Sequence, residues 1–257
     1  MHSLGILGVG ELTEKVVHGL RRSSFAGAIL LSPRNAERAG ALAAEHGCQV
    51  LPSNQAVVDG AELVIVGVRP DALAQLASEV RLRPGQRLVS LVAGVNLEQL
   101  GAAFPGAHCV RAMLSYSAQY NASTVVVCPT DTQTEQCLGP LGTLVVLADE
   151  PAFELATVAA CMNGWFYFLL HDLQQWLSDK GLPSDQARAL VLANLQDCVS
   201  AGQRQPEQSL KALGEAIATP GTFTADGLAV LMHQPVAATW GAACEVVLDG
   251  LLTRSRL

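Results

Sequence analysis

Apolar positions in the first part of the chain, up to residue 148, follow two alternating patterns. Short continuous apolar runs predict buried strands, and stretches with apolar residues every three or four positions predict helices. The strands are predicted over Leu4–Leu7, Ala28–Leu31, Leu63–Val68, Arg87–Val92, Cys109–Met113, Ser123–Cys128 and Thr143–Leu147. The helices are predicted over Glu11–Arg22, Ala36–His46, Ala72–Glu79, Leu97–Ala103 and Thr132–Leu141. Strands separated by such helices imply right-handed crossovers, so we expect an α/β fold with a mostly parallel, doubly wound sheet.

The pattern changes after Asp149-Glu150-Pro151, where strand-like runs stop. Periodic apolar stretches predict helices over 152–180, 184–203, 207–217 and 225–253. The sequence therefore predicts two domains, 1–149 with the sheet and 150–257 with helices alone. The last helical stretch is apolar around much of its circumference, which favours packing against a second copy of the chain.

The first candidate functional segment is a glycine-containing turn near the start of the chain. The run Leu4–Leu7 leads directly into two glycines two positions apart, and a helical pattern follows. Glycines let backbone amides approach a pyrophosphate, and the helix N-terminus adds its positive dipole there. The turn predicts dinucleotide binding by Gly8, Val9, Gly10, Glu11 and Leu12. Thr13 replaces the third glycine of the usual fingerprint, so an ordinary tight turn remains the alternative.

The end of the second predicted strand indicates which dinucleotide is bound. Enzymes that prefer NAD place an acidic residue here to hold the ribose hydroxyls. This chain has Ser32-Pro33-Arg34-Asn35 instead. A hydroxyl, a guanidinium and an amide suit a 2′-phosphate, which predicts NADPH in preference to NADH. An unengaged surface arginine is the alternative interpretation of Arg34.

Three further segments lie where a dinucleotide fold binds its ligands. Val68-Arg69-Pro70 ends a buried strand abruptly, and Ala93-Gly94 places small residues at the end of another. We expect the first to shape the wall around the nicotinamide ribose and the second to contact the cofactor. The segment Thr219–Thr224 precedes a helix, and hydroxyls with free amides at a helix N-terminus predict a carboxylate site. A plain helix-capping loop would account for the same residues.

Composition narrows the functional classes. The net charge of −7 argues against a nucleic-acid surface. Charges, Gly or Pro interrupt each apolar run, so we expect no membrane-spanning segment. The seven cysteines form no CxxC pair, which indicates free thiols in a reducing cytoplasm. The six histidines form no i, i+4 pair and no HExxH motif, so no metal site is predicted.

The order and spacing of these segments resemble the pyrroline-5-carboxylate reductase family, which reduces a cyclic imine to L-proline with NADPH or NADH. Gly8–Leu12, Ser32–Arg34, Val68–Pro70 and Ser90–Gly94 are similar to its cofactor-binding segments. Asn54 falls where the family has an asparagine that faces the adenosine half of the cofactor. The resemblance implies an N-terminal Rossmann domain and a helical domain that interlocks with a second subunit as a homodimer, or within a higher oligomer.

The resemblance also implies a substrate site. Thr219-Pro220-Gly221 and Thr224–Leu228 match the frame of the family's substrate signature. By this correspondence Thr224 and Thr219 are the candidate catalytic residues, with Thr224 beside the imine nitrogen. The candidate substrate-binding residues are Thr219, Gly221, Thr222, Phe223, Thr224, Met113 and Tyr116.

The departures from the family pattern fall in the substrate half. Met113–Ser117 lacks both prolines, the asparagine and the threonine of the corresponding motif, and Cys161–Tyr167 is bulkier and more aromatic. Thr222 replaces a glycine, and Phe223 stands at a position that is small in the family. Three functions therefore stay open: reduction of pyrroline-5-carboxylate, reduction of another imine or carbonyl compound, and NADP binding without catalysis.

Overall fold

The computed structural model describes residues 2–254. Its strands are β1 Ser3–Leu7, β2 Ala28–Leu31, β3 Gln49–Val50, β4 Leu63–Val66, β5 Arg87–Ser90, β6 His108–Met113, β7 Ser123–Cys128 and β8 Gly142–Val146. Its helices are α1 Glu11–Arg22, α2 Ala36–His46, α3 Asn54–Gly60, α4 Leu73–Glu79, α5 Leu97–Ala103, α6 Thr132–Leu138, α7 Glu150–Asp179, α8 Ser184–Arg204, α9 Leu210–Ile217, α10 Phe223–Met232 and α11 Val236–Arg254. Short 3-10 turns cover Pro70–Ala72, Tyr116–Tyr120 and Gly139–Leu141.

The strands form one sheet in the order β3-β2-β1-β4-β5-β6-β7-β8. Neighbouring strands are parallel, except that β6 and β7 are antiparallel. The exception arises because β6 and β7 are joined by a 3-10 turn, which is too short for a parallel crossover. The expected doubly wound, mostly parallel α/β sheet is confirmed.

Both faces of the sheet are covered, which explains why the strands are continuous apolar runs. Ile6 and Ile65 pack on one face with Val16 and Leu20 of α1. The alternate positions of the same strands, such as Val64, pack on the other face with residues of α3, α4 and α5. Each central strand is therefore buried on two sides, as parallel sheets require.

Several element boundaries differ from the sequence-based expectation. Strands β4 and β5 end two residues early, at Val66 and Ser90, where the chain turns away from the sheet. Helix α3 was not predicted; its start is fixed by Ser53, whose Oγ accepts a hydrogen bond from the Ala56 N–H at 3.1 Å. The single helix predicted over 225–253 is two helices, α10 and α11, and Pro235 lies in the break between them.

Among the described residues the chain forms two compact units. The first comprises the residues up to Ala160 together with the segment from Leu248 onward, and the second is Cys161–Val247. Helix α7 begins in the first unit and continues into the second. The predicted domain division at residues 149 and 150 stays a prediction; it coincides with the start of α7 and not with the end of the first unit.

A buried ion cluster holds the first turns of α7 to the sheet. Arg111 on β6 is 2% exposed, and its guanidinium donates to Glu150 Oε1 at 2.9 Å and to Glu154 Oε1 at 2.7 Å. The guanidinium also lies 4.2 Å from the centre of the Phe153 ring. Glu150 Oε1 accepts a further hydrogen bond from the Leu97 N–H at the start of α5, at 2.8 Å. The Arg111 guanidinium thus links β6 to α7 directly and to α5 through Glu150.

We expect Arg111→Met to destabilise the protein by roughly 3–5 kcal/mol, because it leaves Glu154 buried without a counter-charge. The free energy of unfolding is measured by urea titration. The matched control is Arg69→Met, which removes an arginine whose side chain is 87% exposed and should change stability by less than about 0.5 kcal/mol. Adding Glu154→Gln to Arg111→Met should recover part of the loss. A cost below about 1 kcal/mol for Arg111→Met would show that the cluster contributes little.

Candidate active site

The glycine turn after β1 is a tightly packed backbone cradle. Gly8 has φ +90°, and a Cβ built there would lie 2.6 Å from Val68 Cγ1 and 3.0 Å from the Gly67 carbonyl carbon. Only glycine fits this position. At Gly10, which precedes α1, a Cβ would meet only the Gly67 oxygen at 4.0 Å, so the space above the turn is open. The first N–H groups of α1 have no partner inside the helix and are available to an anion there.

Thr13 explains how the turn forms without the third glycine of the fingerprint. Its side chain is buried, and its Oγ1 accepts a hydrogen bond from the Gly10 N–H and donates one to the Gly8 carbonyl, each at 2.9 Å. Its methyl group fills the space beside Gly67, where a Cβ would lie 2.3 Å from Thr13 Cγ2. The glycine that lets α1 pack closely against the sheet is therefore Gly67, which follows β4, and not a residue of α1.

The loop after β2 supports the same turn and leaves one cation free. Ser32 is 1% exposed, and its Oγ accepts a hydrogen bond from the Gly8 N–H at 3.1 Å. Asn35 donates from Nδ2 to the Val9 carbonyl at 3.0 Å, and its Oδ1 caps α2. Arg34 is exposed and has no hydrogen-bond or ion-pair partner among residues 2–254. Ser32 and Asn35 therefore hold the turn, and Arg34 is available to a ligand.

The other predicted cofactor residues are more open. Val68 is half-buried against Gly8, and the Arg69 side chain is largely exposed, 3.7 Å from the Asp71 carboxylate. Ala93 is exposed, and Gly94 has φ +71°, in the left-handed region. The remaining two are Pro70, which begins a 3-10 turn, and Asn54, which begins α3 and donates from Nδ2 to Glu79 Oε2 at 2.6 Å.

Tyr116 reaches the start of α1 from the end of β6. Its hydroxyl donates to Glu11 Oε2 at 3.3 Å, although the side chain is half exposed. Partial desolvation and the neighbouring Glu11 carboxylate raise the pKa of Tyr116, so it stays a neutral donor. Sequence reasoning missed this contact because the two residues lie far apart along the chain. Met113, also predicted to line the site, is half-buried at the end of β6.

Within the first unit, the strand order explains why these residues share one edge. The glycine turn follows β1, and Ser32, Val68, Ala93 and Met113 follow or end β2, β4, β5 and β6. These strands are parallel, so their carboxyl ends lie at the same edge. The strand order reverses between β1 and β4, which is where ligands bind in doubly wound sheets.

The loop before α10, in the second unit, presents two free hydroxyls. Thr222 caps the helix: its Oγ1 accepts a hydrogen bond from the Ala225 N–H at 3.2 Å and donates one to the Thr219 carbonyl at 2.8 Å. Gly221 has φ +84°, which glycine adopts without strain. The hydroxyls of Thr219 and Thr224 are exposed and have no partner within residues 2–254. Phe223 is 95% exposed.

Aromatic side chains fill the altered segment of α7. The Trp165 and Trp240 rings lie 5.9 Å apart, and the Phe166 and Trp240 rings lie 5.6 Å apart. Trp240 belongs to α11, so the cluster joins the two long helices inside the second unit. The bulk that distinguishes Cys161–Tyr167 from the resembled family is therefore engaged in packing at least at Trp165 and Phe166.

Two family models match separate parts of the chain. Residues 3–94 match one described as NADP oxidoreductase coenzyme F420-dependent, and residues 152–249 match one described as pyrroline-5-carboxylate reductase dimerisation. A pyrroline-5-carboxylate reductase of Pseudomonas aeruginosa is 28% identical over 201 residues, 74% of each chain. The chain is thus similar to the pyrroline-5-carboxylate reductase family over about three quarters of its length. The Escherichia coli member is 22% identical over 244 residues, 89% of each chain.

Solved structures of the family have the same fold. The Streptococcus pyogenes reductase superposes with a TM-score of 0.84 at 21% identity, covering 99% of this chain and 98% of that one. The Plasmodium falciparum reductase, solved with NADP bound, gives a TM-score of 0.87 at 17% identity, with the same coverage. At these identities the likeness establishes the fold and not the ligand.

The helices of the second unit carry a large exposed apolar surface. Phe168, Trp176, Leu210, Met232 and Val246 are each 60% exposed or more. Helices α7 and α11 are also long and apolar enough to cross a membrane, by length and composition only, each with mean hydropathy 1.3. By this measure the Gly and charged residues that interrupt the apolar runs do not keep these two helices below spanning length. The same region matches the model described as pyrroline-5-carboxylate reductase dimerisation.

The glycine cradle can be tested by a pair of substitutions. Gly8→Ala should abolish dinucleotide binding and lower the melting temperature, because its Cβ would clash with Val68 at a positive φ. Gly40→Ala is the control: it lies in α2 with nothing within 4 Å of the added Cβ, and should leave stability unchanged or slightly higher. Binding is measured by calorimetric titration. Normal affinity in Gly8→Ala would exclude the cradle as the binding site.

Proposed function

We propose that this protein reduces the C=N bond of 1-pyrroline-5-carboxylate to give L-proline, with NADPH as the reductant. The observation that carries the proposal is the pairing, on one chain, of a glycine cradle at the switch point of the sheet with two free hydroxyls at the start of α10. The relatives named as pyrroline-5-carboxylate reductases support it. We further propose that the protein acts in the cytoplasm.

The residues of the first unit fit a dinucleotide. The space over Gly10 and the first amides of α1 suit a pyrophosphate, whose charge the helix dipole stabilises. Ser32 is 1% exposed whereas Arg34 is exposed and unpaired within residues 2–254, so we assign the 2′-phosphate contact to Arg34. Val68–Pro70 and Ala93–Gly94 are proposed to border the nicotinamide half. When bound, the cofactor supplies a hydride to the imine carbon.

In the second unit we assign substrate binding to the loop before α10. The hydroxyls of Thr219 and Thr224 and the first amides of α10 donate hydrogen bonds to the substrate carboxylate, and Thr222 holds the loop in the binding conformation. Thr224 Oγ1 donates or relays a proton at the imine nitrogen. A cyclic imine of this type is protonated near neutral pH, so the reaction requires no acid–base pair beyond this hydroxyl.

The exposed apolar helices support a homodimer through α7 to α11. Burial of side chains such as Phe168 and Met232 against a second copy would remove them from water, and apolar side chains exposed together commonly mark an interface. A dimer at micromolar concentration in sedimentation velocity is the expected result, with higher assembly left to the same measurement.

A different imine is the second candidate substrate. It is favoured by Tyr116, Trp165 and Phe223, which depart from the pattern of the resembled family. Steady-state NADPH oxidation across a panel of cyclic imines, with and without a carboxylate, separates the two. Faster turnover of a larger imine would support the second candidate. No turnover of any panel member would support NADP binding without catalysis.

We expect Arg34→Ala to weaken NADPH binding about ten- to a hundredfold and to leave NADH binding nearly unchanged. A guanidinium–phosphate contact contributes roughly 1.5–3 kcal/mol, and NADH lacks that phosphate. Calorimetric titration with both cofactors is the measurement. Arg188→Ala, at an exposed arginine of α8, is the control and should bind both as the unmodified protein does. Equal loss for both cofactors would refute the assignment of Arg34.

We expect Thr224→Ala to lower kcat/KM for the carboxylated imine by the equivalent of roughly 1–3 kcal/mol, because one donor to the substrate is removed. NADPH affinity should not change. Thr224→Ser keeps the hydroxyl and should retain most of the activity. Full turnover in Thr224→Ala would mean that the loop is only a helix cap.

A further inference from the structure

Two partly buried histidines meet between α1 and α2 in the first unit. His18 lies in the middle of α1, and Glu45 and His46 end α2. His18 Nδ1 is 2.7 Å from His46 Nε2, and Glu45 Oε1 is 3.8 Å and 3.4 Å from these two nitrogens. All three ligand atoms lie within 4.8 Å of one another. Sequence spacing gave no sign of the cluster because its members come from different helices.

Two of these three distances are close to what a small divalent metal ion requires. Bonds of about 2.0–2.2 Å in a tetrahedral site place neighbouring ligand atoms about 3.3–3.6 Å apart. The 3.4 Å and 3.8 Å separations from Glu45 lie in or near this range, and the 2.7 Å hydrogen bond between the two histidines is the contact that a bound ion would open and replace. Two imidazole nitrogens and one carboxylate oxygen form a ligand set that zinc accepts, with water in the fourth position.

The surroundings favour a bound cation. Glu14 Oε1 lies 3.9 Å from His18 Nε2, the ring nitrogen that faces away from the cluster. Histidines that bind metals commonly donate a hydrogen bond from this second N–H to a carboxylate, and Glu14 is the carboxylate nearest to it here. The C-terminus of α2 adds a partial negative charge beside His46.

Neighbouring cations are engaged elsewhere. Arg38 pairs with Glu14, and Lys15 Nζ lies 3.4 Å from the same carboxylate. Arg21 donates to the carbonyls of Phe25 and Gly27, at 2.6 Å and 2.9 Å. No arginine or lysine ion pair to Glu45 is present within residues 2–254, so its carboxylate is available.

We propose that His18, Glu45 and His46 form a binding site for a divalent transition-metal ion, with zinc the best fit. The ion would join α1 to α2, the two helices that begin at the glycine turn and at the Arg34 loop. Its role is to hold this helix pair together, and it takes no part in hydride transfer. The proposal does not depend on the proposed function.

The test uses the untagged full-length protein, stripped of metal with a chelator and then dialysed. Calorimetric titration with ZnCl₂ should give one ion per chain. Thermal unfolding at zinc 100-fold above the dissociation constant should shift the melting temperature upward by roughly 5–10 °C. MgCl₂, a hard cation that prefers oxygen ligands, should produce no shift.

Variants identify the ligands. His18→Gln and His46→Gln should each weaken zinc binding about 100-fold, as expected when one of four ligands is lost. Glu45→Gln, at a side chain 62% exposed, keeps the fold and should also weaken binding. The control is His171→Gln, at an exposed histidine of α7, which should bind as the unmodified protein does.

Cobalt(II) supplies an independent signature, since a tetrahedral site gives intense visible absorption that should be absent in His46→Gln. Circular dichroism establishes that each variant is folded. If the unmodified protein shows no saturable binding, or if all variants bind zinc with the same affinity, the histidines only hydrogen-bond to each other and the proposal fails. An equal response to magnesium would also overturn it.

Discussion

The close contact between the end of β1 and the end of β4 is the constraint on which the cofactor half of the molecule depends. A Cβ on Gly8 would lie 2.6 Å from Val68 Cγ1, and a Cβ on Gly67 would lie 2.3 Å from Thr13 Cγ2. Thr13 fills the remaining space and bonds to the turn. Because this contact is tightly packed, the sheet fixes the direction of α1. The first amides of α1 therefore point toward the carboxyl end of the strand. Ser32 and Asn35 attach the next loop to the same turn.

Much of the first unit could be predicted because both sheet faces are buried. A strand covered on two sides must be apolar at every position, as Leu63–Val66 is, and such runs stand out. Helix α3 was missed because seven residues show little periodicity, and its start depends on one serine side chain. The break at Pro235 was missed because the apolar pattern continues across it. Tertiary contacts and helix caps determine such features, and the spacing of apolar residues along the chain does not reveal them.

The positions of candidate-site residues could be predicted where those residues come directly after a strand. Once the strand order is known, the positions of Gly8, Arg34 and Val68 follow from topology. Contacts between distant segments were not predictable: the Tyr116 hydroxyl on Glu11, and the cluster of Arg111 with Glu150 and Glu154. Thr13 was treated as a departure from the fingerprint, whereas its side chain completes the turn. Individual residues in the substrate loop stay predictions, because a capping threonine and an anion site use the same residue types.

The division of the chain into units has a consequence for synthesis on the ribosome. The first unit contains the segment from Leu248 onward as well as residues before Ala160, so the helical unit is an insertion between its two parts. A nascent chain that has emerged only to residue 160 lacks the last piece of that unit, and the apolar helices appear before the piece arrives. All eight strands of the described chain lie before residue 147, so the sheet can form while the helices are still being translated, and the last piece of the first unit adds to a sheet that is already complete.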